Sequence, residues 1–338
     1  MDDAIYADES IYEYPMQQGG GNDGRPYSFG RPSSGGSKAA YPCKSYGQGR
    51  INPAYFYGVF DPNDMRRDVS ITMTGSNGKG VEKLIPFVPN SKAEGGGLTL
   101  NKWDENRQAN PWVAAQRKSG INGPYMRMSE VYLGYAEVCA ALGDVVTGKQ
   151  YLKTVRERSF PQGLANTDAF IASFGNDLVR AIIEERGFEY AGEGDRRWTL
   201  IRSGYLPEDI KRIKDMTKAM MDGLATKGYY EFENGNIISA YIWTKLVDAK
   251  TIYGHRLTAQ CPTDKVNDPV LYPGWRGQKD NWEEMGLNYG SSTPATNLAI
   301  KGLFEIVSEE EAASLESQGY AKVNWGIDLV HYRDEYDK

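Results

Sequence analysis

Cysteine and histidine are scarce in this sequence, and acidic residues outnumber basic ones. The 338 residues include three cysteines and two histidines, and the formal net charge is −6. No cysteine belongs to a CxxC pair and neither histidine has ligand spacing to a cysteine, so no zinc site is indicated. No clustered basic surface is evident, which argues against a nucleic-acid partner. We therefore expect no metal, no cofactor and no nucleic acid.

Hydrophobic runs long enough to span a membrane are missing, and so is a signal peptide. Met1 precedes two aspartates and looks like an added start codon. A secreted protein without its leader would show the same N-terminus, so this absence does not indicate the cytoplasm.

Two weak ligand-binding motifs lack residues that their chemistry requires. Residues 75–80 lack the Ser or Thr that follows Lys in a phosphate-binding loop, and residues 61–64 lack the glycine and distal Glu of a calcium loop.

Aromatic and turn-forming residues, by contrast, are abundant. The chain has 23 Tyr and 7 Trp beside 38 Gly and 16 Pro. Tyr and Trp combine apolar area with a polar edge, which suits broad, wet binding surfaces. We interpret residues 1–115 as an aromatic loop region packed on a scaffold. Within it, Val69, Ile71 and Met73 alternate with polar residues, as in a short strand.

A helical core is predicted at residues 124–224. We expect its first helix to begin at Pro124 and to end at Gly143-Asp144. The apolar residues of one predicted face are Tyr125, Met128, Tyr132, Tyr135, Cys139 and Leu142. Cys139 on this face is expected to be a buried thiol. A second helix containing Leu152 and Val155 would complete an antiparallel helical hairpin.

Further helices are predicted along the same core. One is short and capped by Asn166 or Thr167, and another follows Asn176 with Arg186 on its apolar face. Because a guanidinium among apolar residues must be paired, we expect acidic partners for Arg186. The third region, residues 229–338, is interpreted as a hairpin and C-terminal loops. Asn234-Gly235 between apolar runs predicts the β-hairpin. The fold class is therefore mainly α.

Three segments resemble the SusD/RagB family of outer-membrane lipoproteins. Residues 125–137, YMRMSEVYLGYAE, are similar to its signature helix and residues 151–158, YLKTVRER, to its next helix. Residues 182–198, IIEERGFEYAGEGDRRW, are similar to its most recognisable block. Arg127 and Glu130 are one turn apart and could pair along a helix. Other charged and aromatic motif residues are interpreted as a structural charge network instead of a ligand site: Arg186, Glu193, Arg196 and Trp198.

The resemblance implies a SusD-like helical scaffold with long irregular aromatic-rich loops, and capture without catalysis. Family members resemble lids on TonB-dependent transporters of the SusC type, to which they hand oligosaccharides at the outer-membrane cell surface. They are longer, and their N-terminal half carries tetratricopeptide-like helix pairs and a lipid-bearing cysteine. That half is largely absent here, so residues 1–338 are expected to be the C-terminal region of such a protein. A missing N-terminal chain is then a further candidate partner.

Sugar recognition needs flat rings that stack on pyranose C–H faces, and polar groups that bond the hydroxyls. Trp103 is the first candidate ring, because its neighbours are polar and it is expected not to be fully buried. The predicted ligand-binding residues are Tyr41, Tyr46, Asn101, Trp103, Asp104, Arg107, Trp112, Trp275 and Trp282.

Three alternatives remain on the sequence. The same scaffold could bind peptides or another non-sugar nutrient, because a fold does not fix its ligand. A glycoside hydrolase would need two carboxyl groups across a cleft, and the adjacent pairs Glu184-Glu185 and Glu283-Glu284 cannot flank one bond. Adjacent acids on a helix are typical of a solvated face. A purely structural interaction protein is suggested by the short chain.

Overall fold

The computed structural model describes residues 9–17, 19–20, 52–72, 74–76, 82–84, 99–100, 102–103, 120–247, 297–303 and 305–324. Met73 and most of the predicted aromatic loop region, residues 1–115, therefore lie outside the described residues. Two short helices come first, α1 (Pro53–Gly58) and α2 (Met65–Ser70). The Asn52 and Asp64 side chains accept backbone N–H bonds at their N-termini, which satisfies donors that a short helix leaves free.

The predicted helical hairpin is confirmed. Helix α3 (Met128–Ala141) turns at Gly143, whose φ of 88° favours glycine, into α4 (Val145–Glu157). The Asp144 carboxylate accepts from the Thr147 N–H at 3.1 Å and caps α4. A Cβ on Gly148 would lie 3.0 Å from the Ala136 carbonyl oxygen, so a glycine lets the two helices cross closely.

The predicted start and apolar face of the first helix are wrong. Pro124 and Tyr125 lie in a β-strand before the helix, and Tyr125 and Leu142 are 75% and 82% exposed. The buried side chains of α3 belong to Ser129, Leu133, Ala136 and Cys139, of which Cys139 is the predicted buried thiol. Helix α3 is apolar on two faces, and periodicity alone does not decide which of them packs against the core.

The remaining helices of the core are α5 (Thr167–Ala172), α6 (Leu178–Glu189), α7 (Asp195–Ser203) and α8 (Leu206–Lys227), and α9 (Glu309–Ser317) lies near the C-terminus. Asn166 caps α5 as predicted, with its side-chain oxygen 2.9 Å from the Ala169 nitrogen. Helix α6 is central, because all of its residues except Val179 are buried.

Small antiparallel strand pairs surround the helices. Strand β1 (Ser10–Tyr14) pairs with β6 (Gly123–Arg127), β2 (Ile71–Thr72) with β5 (Thr99–Leu100), and β3 (Thr74–Ser76) with β4 (Glu82–Leu84). Strand β9 (Tyr241–Val247) lies between β10 (Asn297–Lys301) and β11 (Ala321–Asn324). Val69 belongs to α2, so the short strand expected around it is confined to Ile71 and Thr72.

The predicted hairpin at Asn234-Gly235 is confirmed. It joins β7 (Tyr229–Glu231) to β8 (Ile237–Ser239), and Gly235 adopts a φ of 81°. The Asn234 and Asn236 amides each donate to the carbonyl oxygens of Tyr57 and Phe60, at 2.7–2.9 Å. The turn thereby ties the hairpin to α1 and supplies partners for buried carbonyls.

Two hydrophobic clusters make up the core of the described residues. One joins α1, α8 and the hairpin around Phe60, Phe188 and Met220. The other joins α3, α4 and α6 around Leu133, Leu152 and Ile182. Both clusters are dominated by helices, and the prediction of a mainly α fold is confirmed for the part of the chain that the structure describes.

Candidate functional site

Of the nine ligand-binding residues predicted from the sequence, the structure describes one, Trp103. The others lie outside the described residues: Tyr41, Tyr46, Asn101, Asp104, Arg107, Trp112, Trp275 and Trp282. Trp103 is 3% exposed, so the expectation that its ring remains partly open is wrong. Its indole N–H donates to the Gly192 carbonyl at 3.3 Å, which gives the ring a packing role in this structure.

Lys102 and Trp103 fasten their segment to the turn that follows α6. The Lys102 ammonium lies 2.7 Å from the Glu189 carbonyl oxygen and 2.5 Å from the Glu193 carboxylate. The polar neighbours of Trp103 in the sequence suggested an exposed ring. In the structure, Lys102 binds Glu189 and Glu193, and the adjacent Trp103 ring is buried. Trp103 is therefore buried beside contacts with residues 87 to 91 positions further along the chain, which a local pattern does not reveal.

Strands β1 and β6 form a two-stranded ribbon, here called the aromatic ribbon. It carries the most exposed group of aromatic rings among the described residues. Tyr12, Tyr14 and Tyr125 are 57%, 60% and 75% exposed. The rings of Tyr12 and Tyr125 meet edge to face, with centroids 5.6 Å apart and planes at 82°. Exposed tyrosines with free ring faces and free hydroxyls can stack on apolar ligand faces and bond polar groups at the same time.

The strands explain why these rings stand outward. Ser10 to Tyr14 reads SIYEY, which is rich in strand-favouring residues, and Pro124 is tolerated because it lies in a two-stranded ribbon. Asn122 accepts from the Met16 N–H at 3.0 Å and donates to Glu13 at 2.8 Å. These bonds connect the two strands at the end where Tyr14 pairs with Gly123. The rings are therefore held in place before any ligand binds.

Arg127 holds the other end of the ribbon on the core. Its guanidinium lies 2.9 Å from Glu9, 2.7 Å from Glu189 and 3.0 Å from Glu193. Burial opposes the charged form, but the nearby carboxylates outweigh it and raise the pKa of Arg127. The expected pairing of Arg127 with Glu130 is wrong, because Arg127 ends the strand and Glu130 instead binds Arg186 at 2.8 Å.

Arg186 has acidic partners, as predicted, and the structure identifies them as Glu130 at 2.8 Å and Asp195 at 2.7 Å. The structural charge network is also present around Glu193 and around Arg196, which binds Glu184 at 2.9 Å and Asp209 at 3.1 Å. Trp198 does not belong to it. That side chain is 69% exposed on α7, a position the sequence pattern did not distinguish from its buried neighbours.

Glu184 and Glu185 are both fully buried, so the interpretation of this pair as a solvated face is wrong. Glu185 binds Arg66 at 2.7 Å and Arg156 at 2.9 Å, while Glu184 binds Arg196 and Arg212. Each carboxylate is matched by at least two guanidinium groups, and Glu184 also lies 3.9 Å from Arg180, which is how α6 can bury charge at the centre of the fold. Carboxylates used in this way are not available to a substrate.

The described residues offer no metal site. Within these ranges, His, Cys, Asp and Glu side chains form no cluster of three that could hold an ion. Asp64, which the sequence placed near a weak calcium motif, instead caps α2 and binds Arg66 at 2.6 Å. None of the described helices combines the length and apolar character required to cross a bilayer.

Comparison with known proteins places these features in a family. SusD-like protein P25 of Formosa agariphila is 28% identical over 160 residues, which are 47% of this chain and 26% of that protein. Surface glycan-binding protein A from Bacteroides thetaiotaomicron, solved in complex with laminarihexaose, is 19% identical with a TM-score of 0.38, over 58% of this chain and 43% of that one. A SusD-like protein from Bacteroides fragilis is 19% identical with a TM-score of 0.42, over 59% and 44%.

The chain therefore spans about a quarter of the length of the curated relative and less than half of each of these solved structures. The SusD family model matches residues 5–273, well over half of the chain. This range contains the ribbon, all of the second core cluster, all of the first except Leu303 and Val323, and the three motif segments that resemble the family. Because the family model matches well over half of the chain, the chain belongs to the SusD family.

Proposed function

We propose that this chain binds glycans without cleaving them, at the outer-membrane surface, as part of a protein that delivers them to a TonB-dependent transporter of the SusC type. The observation that carries the proposal is the match to the SusD family over residues 5–273. The proposed ligand class and transporter partner come from the resemblance of the chain to this family, whose members are similar to surface capture proteins. A lipid anchor belongs to the same expectation.

The aromatic ribbon supports this proposal on physical grounds. Tyr12 and Tyr125 meet at 82° and are 57% and 75% exposed, so ring surface remains on which pyranose C–H groups can pack. The ribbon is held by Arg127 and Asn122, so a ligand would not have to order it. The predicted candidates Trp275, Trp282 and the residues around Trp103 would add further contacts to the same ligand or to a second one.

The buried acids support binding without hydrolysis. Of the two adjacent acidic pairs considered for catalysis, Glu184 and Glu185 are occupied by arginines inside the fold. A glycosidase needs one carboxyl group that can donate a proton and a second facing it across the bond. The other pair, Glu283 and Glu284, lies outside the described residues.

Peptide binding is the second candidate, and the edges of the ribbon favour it. Among the described residues, β1 and β6 pair only with each other, so each strand keeps an outer row of backbone groups. An extended peptide could add to such an edge through main-chain hydrogen bonds. A peptide ligand would depend on the backbone of the ribbon more than on its rings.

The first experiment is a binding screen with a ring-removal variant. Purified chain is tested by calorimetry and affinity electrophoresis against host and plant polysaccharides and short peptides. We expect Tyr12→Ala combined with Tyr125→Ala to weaken glycan binding roughly 10-fold or more, because losing exposed aromatic anchors typically costs more than about 1 kcal/mol. Tyr241→Ala, which removes a ring 41% exposed on β9, is the matched control and should bind normally.

The outcomes separate the candidates. Glycan binding that the ribbon variant leaves unchanged would move the site to the predicted tryptophans, to be tested with Trp275→Ala and Trp282→Ala. A response to peptides alone would favour the second candidate. Release of reducing ends from any polysaccharide would contradict the non-catalytic proposal. Absence of binding to every ligand in the panel would contradict binding by this chain.

A further inference from the structure

Two ion-pair bridges hold helices α3 and α7 side by side. At one end, the Arg186 guanidinium lies 2.8 Å from Glu130 of α3 and 2.7 Å from Asp195 of α7. At the other end, both terminal nitrogens of Arg202 on α7 donate to the Glu137 carboxylate on α3, at 2.5 Å and 2.8 Å. The bridged residues are seven positions apart on each helix, which is about 10 Å along either axis. The two helices are therefore nearly parallel in this stretch.

The residues midway between the bridges face each other across the gap between the helices. Successive helix residues turn by about 100°, so Leu133 and Thr199 lie on the core side of the bridges and Gly134 and Trp198 on the solvent side. The burial agrees, because Leu133 and Thr199 are buried and Trp198 is 69% exposed. A Cβ built on Gly134 would meet no described atom within 4 Å. We call the opening between Gly134 and Trp198 the α3–α7 notch.

The notch combines the groups that a sugar ring requires. The Trp198 indole offers a flat apolar face on which pyranose C–H groups can stack. Gly134 has no side chain, so a ligand can approach the backbone of α3 beside that face. The Glu130 and Arg202 side chains at the two ends are 39% and 47% exposed, so their unused acceptors and donors remain open to hydroxyl groups. The bridges lie about 10 Å apart, so the notch takes only a short stretch of a glycan.

The charged bridges favour a hydroxylated ligand over an apolar helix. A helix packed on the notch would remove water from both bridges without supplying new hydrogen bonds, and such desolvation is costly. Sugar hydroxyls replace those water contacts with direct bonds. The notch also favours a neutral sugar over an acidic one, because its bridges hold three carboxylates and two guanidinium groups. These groups belong to Glu130, Glu137, Asp195, Arg186 and Arg202.

We propose that the α3–α7 notch is a subsite for a neutral sugar ring, with Trp198 as the platform on which the ring stacks. The subsite rests on the proposed function, because it receives the same class of ligand at a second place on the chain. It shares no residue with the aromatic ribbon. The ion pairs hold both walls of the notch before a ligand binds, so little ordering is required. One stacked ring with few hydrogen bonds binds weakly, with a dissociation constant on the order of 1 mM.

Solution NMR of the full chain with isotope-labelled valine methyl groups reports on the notch directly. Val138 lies one turn after Gly134 on α3 and borders the notch, whereas Val146 lies on α4 beyond it. The probes are the disaccharides of glucose, galactose, mannose and xylose, each titrated to about 20 mM. We expect at least one probe to shift the Val138 methyl signals and to leave those of Val146 unchanged. Digalacturonic acid, an acidic disaccharide, is expected to shift the Val138 signals less.

Variants of Trp198 and Gly134 test the two walls separately. Trp198→Ala is expected to weaken binding at least about 10-fold, because the stacking face is lost, and Trp198→Phe to stay within about 3-fold. Gly134→Gln fills the notch with a side chain that suits a helix, so it is expected to weaken binding as much as Trp198→Ala does. Gly134→Ala is the matched control. Its single methyl group enters open space, so binding should stay within about 3-fold.

The outcomes separate the subsite from the proposed function. Polysaccharide binding in calorimetry without any shift at Val138 would overturn the subsite and leave the proposed function standing. An unchanged response in Trp198→Ala would overturn the assignment of the platform, and a stronger response to digalacturonic acid would overturn the preference for neutral sugars. No binding of any glycan by either method would overturn both proposals. Circular dichroism checks that each variant folds, and Gly134→Gln decides the question if Trp198→Ala does not fold.

Discussion

Each of the two adjacent glutamates at the centre of α6 neutralises a pair of arginines that comes from other elements of the fold. Glu185 joins Arg66 of α2 to Arg156 of α4, and Glu184 joins Arg196 of α7 to Arg212 of α8. Such groups add little net stability, because their desolvation offsets much of the attraction. Removing one partner is nevertheless costly, since the other charges stay buried.

Glu185→Ala is expected to lower the free energy of unfolding by about 3–5 kcal/mol, because Arg66 and Arg156 would lose their shared carboxylate inside the fold. Urea denaturation followed by circular dichroism measures the change. The matched control is Glu157→Ala, which removes an exposed acid 3.5 Å from Lys153 and should change stability by less than about 1 kcal/mol. Similar effects of the two variants would contradict the importance of burial.

At the scale of elements, two glycines of the α3–α4 hairpin have opposite surroundings. Gly148 faces the backbone of α3, with Ala136 O 3.0 Å and Ala140 N 3.2 Å from the position of a Cβ. Gly134 lies within α3 and faces open space. The same substitution at these two sites therefore separates helix packing from helix propensity.

Gly148→Ala is expected to destabilise the chain by about 1–3 kcal/mol, because α3 and α4 would have to move apart. Gly134→Ala is expected to stabilise it by about 0.5–1 kcal/mol, because alanine loses less backbone entropy in a helix. Thermal and urea unfolding measure both changes. Stabilisation by both substitutions would show that the close crossing at Gly148 does not limit the hairpin.

For the molecule as a whole, the buried charges predict loss of stability in acid. Burial raises the pKa of Glu189, but Arg66, Arg127 and Arg158 outweigh it and hold that pKa well below its usual value of 4.5. Asp209 is lowered as well, since Arg196 and Arg212 outweigh its burial, whereas burial dominates for Asp64 and raises its pKa. A lowered pKa stabilises the fold above the unfolded value, and this contribution is lost as the pH falls.

The urea midpoint is therefore expected to fall as the pH decreases from about 5 to about 3, where unfolded carboxyl groups take up protons first. Glu189→Gln should be less stable at neutral pH and should show a shallower fall over this window. Midpoints measured at several pH values test both statements. The exposed variant Glu157→Gln serves as control and should keep the full slope. A Glu189→Gln slope equal to that of the unchanged chain would contradict the assignment to Glu189.

The sequence by itself determined the family, the mainly α fold, the α3–α4 hairpin, the cap of α5 and the Asn234-Gly235 turn. These features depend on residues close together in the chain, where periodicity, capping and turn chemistry act directly. The need for acidic partners at Arg186 was also predictable, because a guanidinium on an apolar face must be neutralised. Which acids they are was not.

Only the tertiary structure decided which surfaces are open. Pro124 lies in a strand because its segment pairs with Ser10–Tyr14. Trp103 is buried beside Lys102, which binds Glu189 and Glu193. Glu184 and Glu185 can be buried because arginines from four other elements neutralise them. Each outcome rests on partners far away in the chain. Local sequence patterns carry no record of such contacts, since the energy of a charge or a ring depends on what the fold brings next to it.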